Sequence, residues 1–251
     1  MTRTRTIAVA LAHYWPLALV VVAWEAWVSV NGYTSTVAPH PLDVAVELAQ
    51  NPLVYLLPTG STLFTALVGL LGGTMVGVVG AVLVWWSVAL SGVVTPAALI
   101  LRSVPITAII PIVARIVGYG DPAVLTVTVL VCFFPAFVFT LSGLASIPDA
   151  GRDLFTVLGA RKAQLLLRYG FLHALPSTMV GIRITAPSAV LAAMLAEFLM
   201  GTHGLGALFS QSRGYLDMER AWGTALVATA LSVLVFVGSR AVERRVADRV
   251  T

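Results

Sequence analysis

The residues best suited to chemistry stand together in one polar stretch, DLFTVLGARKAQLLLRYGFLHALP, from Asp153 to Pro176. An acid opens it, a glycine follows, and then come cations and an amide. Such side chains make ion pairs and hydrogen bonds with a partner surface. Taken alone, the stretch is equally consistent with an amphipathic helix resting on lipid headgroups. Its candidate residues are Asp153, Gly159, Ala160, Arg161, Lys162, Gln164 and Arg168.

Glu197 and Arg115 are further candidates, because each stands among apolar residues. An ionisable side chain within a membrane is costly unless it is paired or hydrated, so it is by default a functional hypothesis. Glu197 either faces a translocation path or holds a neighbouring helix by hydrogen bonding. Arg115 either draws an anion into that path or snorkels to the outer interface. Arg183 is expected to reach headgroups on the other side.

Other kinds of site are not indicated. The single cysteine, Cys132, has no disulfide partner, and the four histidines show no ligand spacing, so neither a metal nor a cofactor is expected. The phosphate-binding pattern G-x-x-x-x-G-K-[ST] is missing, and the only lysine, Lys162, stands in LGARKAQ. Any ATP hydrolysis is therefore expected on a separate chain. The pI of 9.6 does not indicate nucleic acid, because membrane topology explains where the basic residues stand.

The composition indicates an integral membrane protein. The 251 residues are 59% hydrophobic and only 10% charged, whereas a soluble domain has about 25% charged residues. A helix needs roughly 20 apolar residues to cross a bilayer. Six runs qualify, which predicts an all-α polytopic protein with residues 1–251 forming one transmembrane domain. The predicted spans are roughly 14–31, 62–86, 93–118, 122–146, 178–200 and 222–240.

The basic residues predict the orientation. With six spans, both termini and the polar stretch share one side, and ten of the fifteen basic residues fall there. The positive-inside rule makes that side cytoplasmic. The protein is therefore expected in the plasma or inner membrane, with both termini in the cytoplasm.

Prolines and glycines mark two of the spans. Pro96, Pro105 and Pro111 predict that the third span is broken. The second span carries glycines about four residues apart, which let helices approach closely. These glycines serve either packing within the chain or a subunit interface. They are Gly69, Gly72, Gly73, Gly77 and Gly80.

The polar stretch resembles the EAA loop of ABC-importer permeases. Asp153 stands at the acidic position of that pattern and Gly159 at its glycine. Three further segments are similar to the nitrate/sulfonate/taurine-type permeases. They are LRSVPITAIIPIVARIVGYGDP at 101–122, FFPAFVFTLSGLASIP at 133–148 and AEFLMGTHGLGALF at 196–209.

The sequence also departs from the family pattern. Leu154 and Phe155 replace two alanines, and Tyr169-Gly170-Phe171-Leu172 replaces the isoleucine-x-leucine-proline end. Bulky residues there change how the loop packs, which leaves the particular ATPase partner open. A second, more typical permease in the complex would also account for the departures.

The resemblance implies a permease subunit of an ABC importer. Its loop, about residues 147–177, would be a coupling helix that docks on a dimer of cytoplasmic ATP-binding subunits. A second permease, identical or different, and an external solute-binding protein would complete the assembly within the lipid. Residues 201–221 would help receive the binding protein.

The solute and two other function classes stay open. The resemblance allows a small polar solute, including an anion such as a sulfonate, taurine or nitrate, or a pyrimidine or flavin vitamin precursor. A stand-alone secondary transporter would favour inverted repeats or paired intramembrane acids, and a membrane enzyme would favour clustered His, Asp or Glu. Neither pattern is found in the sequence.

Overall fold

A computed structural model describes the backbone of residues 3–201 and 203–250, and the side chains of 15–87, 89–100, 103–201 and 203–248. The regular elements of the described chain are helices, as predicted. The first six are α1 (Arg3–Asn31), α2 (Pro41–Gln50), α3 (Pro52–Trp86), α4 (Val88–Ser103), α5 (Ile106–Val117) and α6 (Asp121–Ala145).

The second half of the chain contains the polar stretch and two long helices. A π-helical turn at Leu166–Gly170 joins the short helix α8 to α9 without a break in the helical path. The elements are α7 (Asp149–Val157), α8 (Lys162–Leu165), α9 (Phe171–Met200), α10 (Leu205–Gly214) and α11 (Met218–Val250).

Four helical stretches are long and apolar enough to cross a membrane: 52–86, 121–145, 162–200 and 218–248. They contain the second, fourth, fifth and sixth predicted spans. The first predicted span lies within α1, of which Trp15–Asn31 is a shorter apolar helix. The stretch 162–200 begins well before the predicted fifth span, because the polar residues of α8 continue into α9 as helix.

The third predicted span is broken, as the prolines indicated. Helix α4 ends at Ser103 and α5 begins at Ile106. Proline disfavours helical backbone in the residue before it, and Val104 is extended, with φ −77° and ψ 128°. Pro96 and Pro111 remain inside α4 and α5. Of the three prolines, therefore, only Pro105 breaks the helix.

The glycines of α3 pack against α6. A side chain at Gly73 would strike Cys132, and one at Gly77 would approach the Phe137 backbone nitrogen to 2.7 Å. Gly69 lies in the same way against Thr128. The absence of side chains lets the two helices approach closely. Of the two predicted roles for these glycines, packing within the chain is the one that the structure shows.

The bundle has two distinct ends. At the first, called the loop end, α3 and α6 finish beside α7 and α8. At the second, called the far end, α9 finishes beside the start of α3, and α10 leads into α11. The polar residues predicted to act therefore divide into two groups at opposite ends of the long helices.

Candidate functional site

The loop end contains a helix–turn–helix unit that Gly159 makes possible. Gly159 has φ +65° and ends α7. Its N–H donates to the carbonyl of Thr156 at 3.0 Å, and the Ala160 N–H donates to that of Phe155 at 2.9 Å. This bonding pattern is a Schellman motif, which favours glycine at the left-handed position. Gly159 thus turns the chain between two short helices, α7 and α8.

Helix α8 begins directly after this turn. The backbone N–H of Arg161 donates to Oε1 of Gln164 at 2.8 Å, which fixes the first turn of α8. Ala160 is half-buried beside them. Gln164 therefore stabilises the loop itself while Arg161 remains exposed.

Lys162 ties α8 to the end of α3. Its Nζ donates to the carbonyls of Trp85 and Trp86 at 3.2 and 2.8 Å, and lies 4.8 Å from the centre of the Trp85 ring. A cation near a helix C-terminus is favoured by the helix dipole and by the free carbonyls there. Sequence reasoning assigned Lys162 to a partner surface, whereas in the structure its ammonium group is bound within the chain.

An aromatic stack supports the inner side of α7. The Phe155 and Tyr169 rings lie 6.1 Å apart, and Tyr169 stacks on His173 at 5.7 Å. Nε2 of His173 lies 3.1 Å from the carbonyl oxygen of Ser146, just beyond the end of α6. Gly151 leaves room for the Tyr169 ring. Sequence analysis missed this stack, although the bulky Phe155 and Tyr169 were noticed as departures from the family pattern.

The outer side of the loop is exposed and mixed in character. The side chains of Asp153, Arg161 and Arg168 are all exposed. Beside them lie three exposed apolar side chains at helical spacing, Leu154, Val157 and Leu158. The structure thus brings the predicted loop residues together in one unit, with some supporting the fold and others facing outward.

At the far end, Glu197 joins three helices. Its side chain is only 3% exposed, and Oε2 accepts hydrogen bonds from Thr62 Oγ1 at 2.7 Å and from the Gly206 N–H at 3.0 Å. The Thr62 hydroxyl in turn accepts from the Leu205 N–H at 2.8 Å. This geometry agrees with the predicted helix-holding role of Glu197, whereas Thr62 gave no signal in the sequence.

Arg115 lies in a different environment from Glu197. It stands in the last turn of α5 and its side chain is exposed. Of the two candidates for the translocation path, Arg115 is therefore exposed, whereas Glu197 is buried between helices.

The expectation for Arg183 was wrong. Its Nη1 lies 3.0 Å from Oε2 of Glu243, so the charge is paired between α9 and α11 rather than offered to headgroups. The spacing between these residues in the sequence gave no indication of this contact.

These features are those of a polytopic α-helical membrane protein with a broken span and a structured loop at one end. Residues 69–248 match the family model described as the inner membrane component of binding-protein-dependent transport systems. The match covers well over half of the chain, and the chain belongs to this family. It is thus a transport subunit, the permease of an ABC importer, and an inner-membrane component.

Individual relatives agree with this assignment. A riboflavin transport system permease protein of Chloroflexus aurantiacus is 30% identical, over 88% of this chain and 81% of its own length. A formylaminopyrimidine transport permease protein of Halalkalibacterium halodurans is 28% identical, over 90% of both chains. The nitrate/sulfonate group of the predicted resemblance is represented by a nitrate import permease protein of Synechocystis, 24% identical over 88% of this chain and 80% of its own.

Solved structures show the same fold. A chain of the MetNI methionine ABC transporter, in an inward-facing conformation, superposes with a TM-score of 0.68 at 21% identity. The match covers 78% of this chain and 98% of that one.

Proposed function

We propose that residues 1–251 act as one transmembrane permease domain, whose loop end docks on a dimer of ATP-binding subunits made from separate chains. The observation that carries this proposal is the loop itself. In a chain of a binding-protein-dependent family, a polar helix–turn–helix unit is fastened to the spans on one side and exposed on the other.

The loop has two faces that suit the transmission of movement. Lys162 fastens it to α3, and the aromatic stack fastens it to α9 and to the end of α6. Asp153, Arg161 and Arg168 remain free to meet the ATP-binding subunit. When two such subunits close around ATP, a loop attached to three helices moves them together. Rocking of the bundle then exposes the path alternately to each side.

The loop end faces the cytoplasm in this proposal. The excess of arginine at the termini and in the loop supports that orientation by the positive-inside rule. The far end then faces outward, where α10 and the exposed Tyr215 help receive an external solute-binding protein. Glu197 holds the start of α10 in place there. A second permease, identical or different, supplies the other half of the path.

The solute is a small polar molecule. Arg115 is the observation that favours an anion, because it is an exposed cation in the last turn of α5. Sulfonate-, taurine- or nitrate-like anions fit this feature. The names of the riboflavin and formylaminopyrimidine relatives support the second option, a flavin or pyrimidine vitamin precursor.

The assembly is tested by gentle extraction of the tagged protein from its native membrane and mass spectrometry of what remains bound. We expect a soluble chain with a phosphate-binding loop and, in a heterodimer, a second permease. If no ATPase is recovered even after cross-linking at residues 159–168, the docking proposal fails and a stand-alone transporter takes its place.

The solute is tested by reconstituting the recovered complex in proteoliposomes with its binding protein. ATP-dependent uptake of labelled sulfonate, taurine, nitrate, riboflavin and a pyrimidine precursor is compared. If Arg115 attracts an anion, Arg115→Gln lowers uptake while the complex still assembles. An unchanged uptake rate would leave Arg115 with only an interfacial role.

A further inference from the structure

An open cleft of about 520 Å³ lies between the loop and the ends of α3 and α6. The function proposed above does not use it. Its lining combines two cations with two aromatic residues and several small or apolar residues, and no carboxylate is among them. The lining residues are Trp85, Ala145, Arg152, Phe155, Thr156, Ala160, Lys162 and Leu165.

Both cations of the cleft stand where a long helix ends. Lys162 Nζ is 2.8 Å from the carbonyl oxygen of Trp86, the last residue of α3. Arg152 Nη2 donates at 3.3 Å to the carbonyl of Ala145, the last residue of α6. Both helices are long enough to cross the bilayer, and the exposed Trp86 at the end of α3 is typical of the membrane interface. The two positive charges therefore lie at the ends of two helices that can span the membrane.

Each cation keeps donors for a further partner. An ammonium group has three N–H donors and a guanidinium group five. Lys162 uses two on Trp85 and Trp86. Arg152 uses one on Ala145 and has a long 3.9 Å contact with the outward-pointing Asp149. A phosphate group within the cleft could accept hydrogen bonds from both side chains, and arginine suits such an anion.

The end of α3 beside this cleft carries adjacent tryptophans, Trp85 and Trp86, and an apolar stripe runs along a separate face of the helix. Val76, Val79 and Leu83 are exposed at spacings of three and four residues, so they lie on one face of the helix. Trp86 continues the stripe to the helix end, where tryptophan is typical of the membrane interface. A ligand that has both a phosphate and an acyl chain suits two cations beside tryptophans at a helix end better than an acidic protein side chain does.

We propose that the cleft binds the headgroup of an anionic phospholipid. The phosphate lies between Arg152 and Lys162, and the acyl chains extend into the lipid beside the tryptophans at the end of α3. The bound lipid ties the loop to the membrane surface at the point where the loop meets α3 and α6. This property would add a dependence on lipid composition to the transport function.

The test measures lipid retention by native mass spectrometry of the full-length protein. Phosphatidylglycerol is compared with phosphatidylcholine, and R152Q/K162Q with the wild type. One basic side chain near an anionic surface contributes about 1 kcal/mol, which is about a fivefold effect. We expect the double variant to retain phosphatidylglycerol roughly 25-fold more weakly. The matched control R168Q removes an exposed cation outside the cleft and should retain lipid as the wild type does.

Loss of the loop structure is separated from loss of charge in two ways. Lys162→Arg keeps the positive charge and should keep the preference for phosphatidylglycerol. A photo-cross-linking residue at Thr156, which lines the cleft, should form phosphatidylglycerol adducts in wild-type membranes. Three results would overturn the proposal: equal retention of both lipids, adducts only with a protein partner, or full competition by inorganic phosphate alone.

Discussion

The hydroxyl of Thr62 is expected to hold α10 at the far end. Thr62→Val keeps the shape of the side chain but removes two hydrogen bonds, one to Glu197 Oε2 at 2.7 Å and one from the Leu205 N–H at 2.8 Å. Thr62 is fully buried and Glu197 nearly so, so water does not replace these bonds. A buried donor or a charged acceptor left unpaired costs on the order of 1 to 3 kcal/mol. The Leu205 N–H is left without an acceptor, whereas Glu197 keeps the hydrogen bond from the Gly206 N–H, so the two losses together cost roughly 2 to 4 kcal/mol.

Hydrogen–deuterium exchange in lipid nanodiscs measures this loss of stability at the start of α10. Because Leu205 and Gly206 begin α10, the free energy for opening that helix should fall. Each 1.4 kcal/mol is about a factor of ten, so exchange in the peptide that contains them should accelerate by roughly 30-fold or more. Exchange around Arg183, near the middle of α9, should not change.

Thr62→Ser is the matched control, because it keeps the hydroxyl and loses only a methyl group. Its exchange should stay within a few-fold of the wild type. If the valine and serine variants exchanged equally fast, packing of the methyl groups rather than hydrogen bonding would hold α10, and the reasoning would be refuted.

Three further substitutions test other contacts. Gly77→Ala would bring a methyl group to about 2.7 Å from a backbone nitrogen of α6. Because overpacking costs about 1 to 3 kcal/mol, this variant should have a lower melting temperature in detergent. The control Gly60→Ala places its methyl group in open space and should leave the melting temperature unchanged. Gly159→Val forces a branched residue into a left-handed backbone at a cost of about 1 to 2 kcal/mol. The variant should insert into the membrane normally but uncouple ATP hydrolysis from uptake in proteoliposomes. Normal uptake would show that coupling does not depend on this turn. Arg183→Met leaves Glu243 unpaired and should destabilise the protein by about 1 to 3 kcal/mol, less than for a fully buried pair. Adding Glu243→Leu should restore the melting temperature, and no recovery would argue against the ion pair.

The features predicted from the sequence are those that short-range chemistry dictates. The runs of apolar residues identify the long helices. The prolines indicate a broken third span, although only Pro105 breaks it, and Gly159 turns the chain after α7. The spacing of glycines on α3 predicted close packing but not its partner. For all of these, the physical cause lies within a few residues of the effect.

The contacts missed by the sequence join residues far apart in the chain. Arg183 meets Glu243, and Thr62 meets Glu197, only because the helices pack side by side. Lys162 looked free because Trp86, whose carbonyl it binds, stands 76 residues away. Whether a charge faces a partner or the fold itself depends on such packing. The outward role of Asp153 and Arg168 therefore remains a prediction.

Lys162 also gives the chain a chemical handle. It carries the only side-chain amine in the sequence, and that amine is held by two carbonyls and an indole ring. Its bonds to Trp85 and Trp86 hold the amine, so an amine-reactive reagent should acylate it faster whenever the loop parts from α3. The rate of labelling at this one position would therefore report, without any engineered residue, how often the loop detaches as the complex turns over.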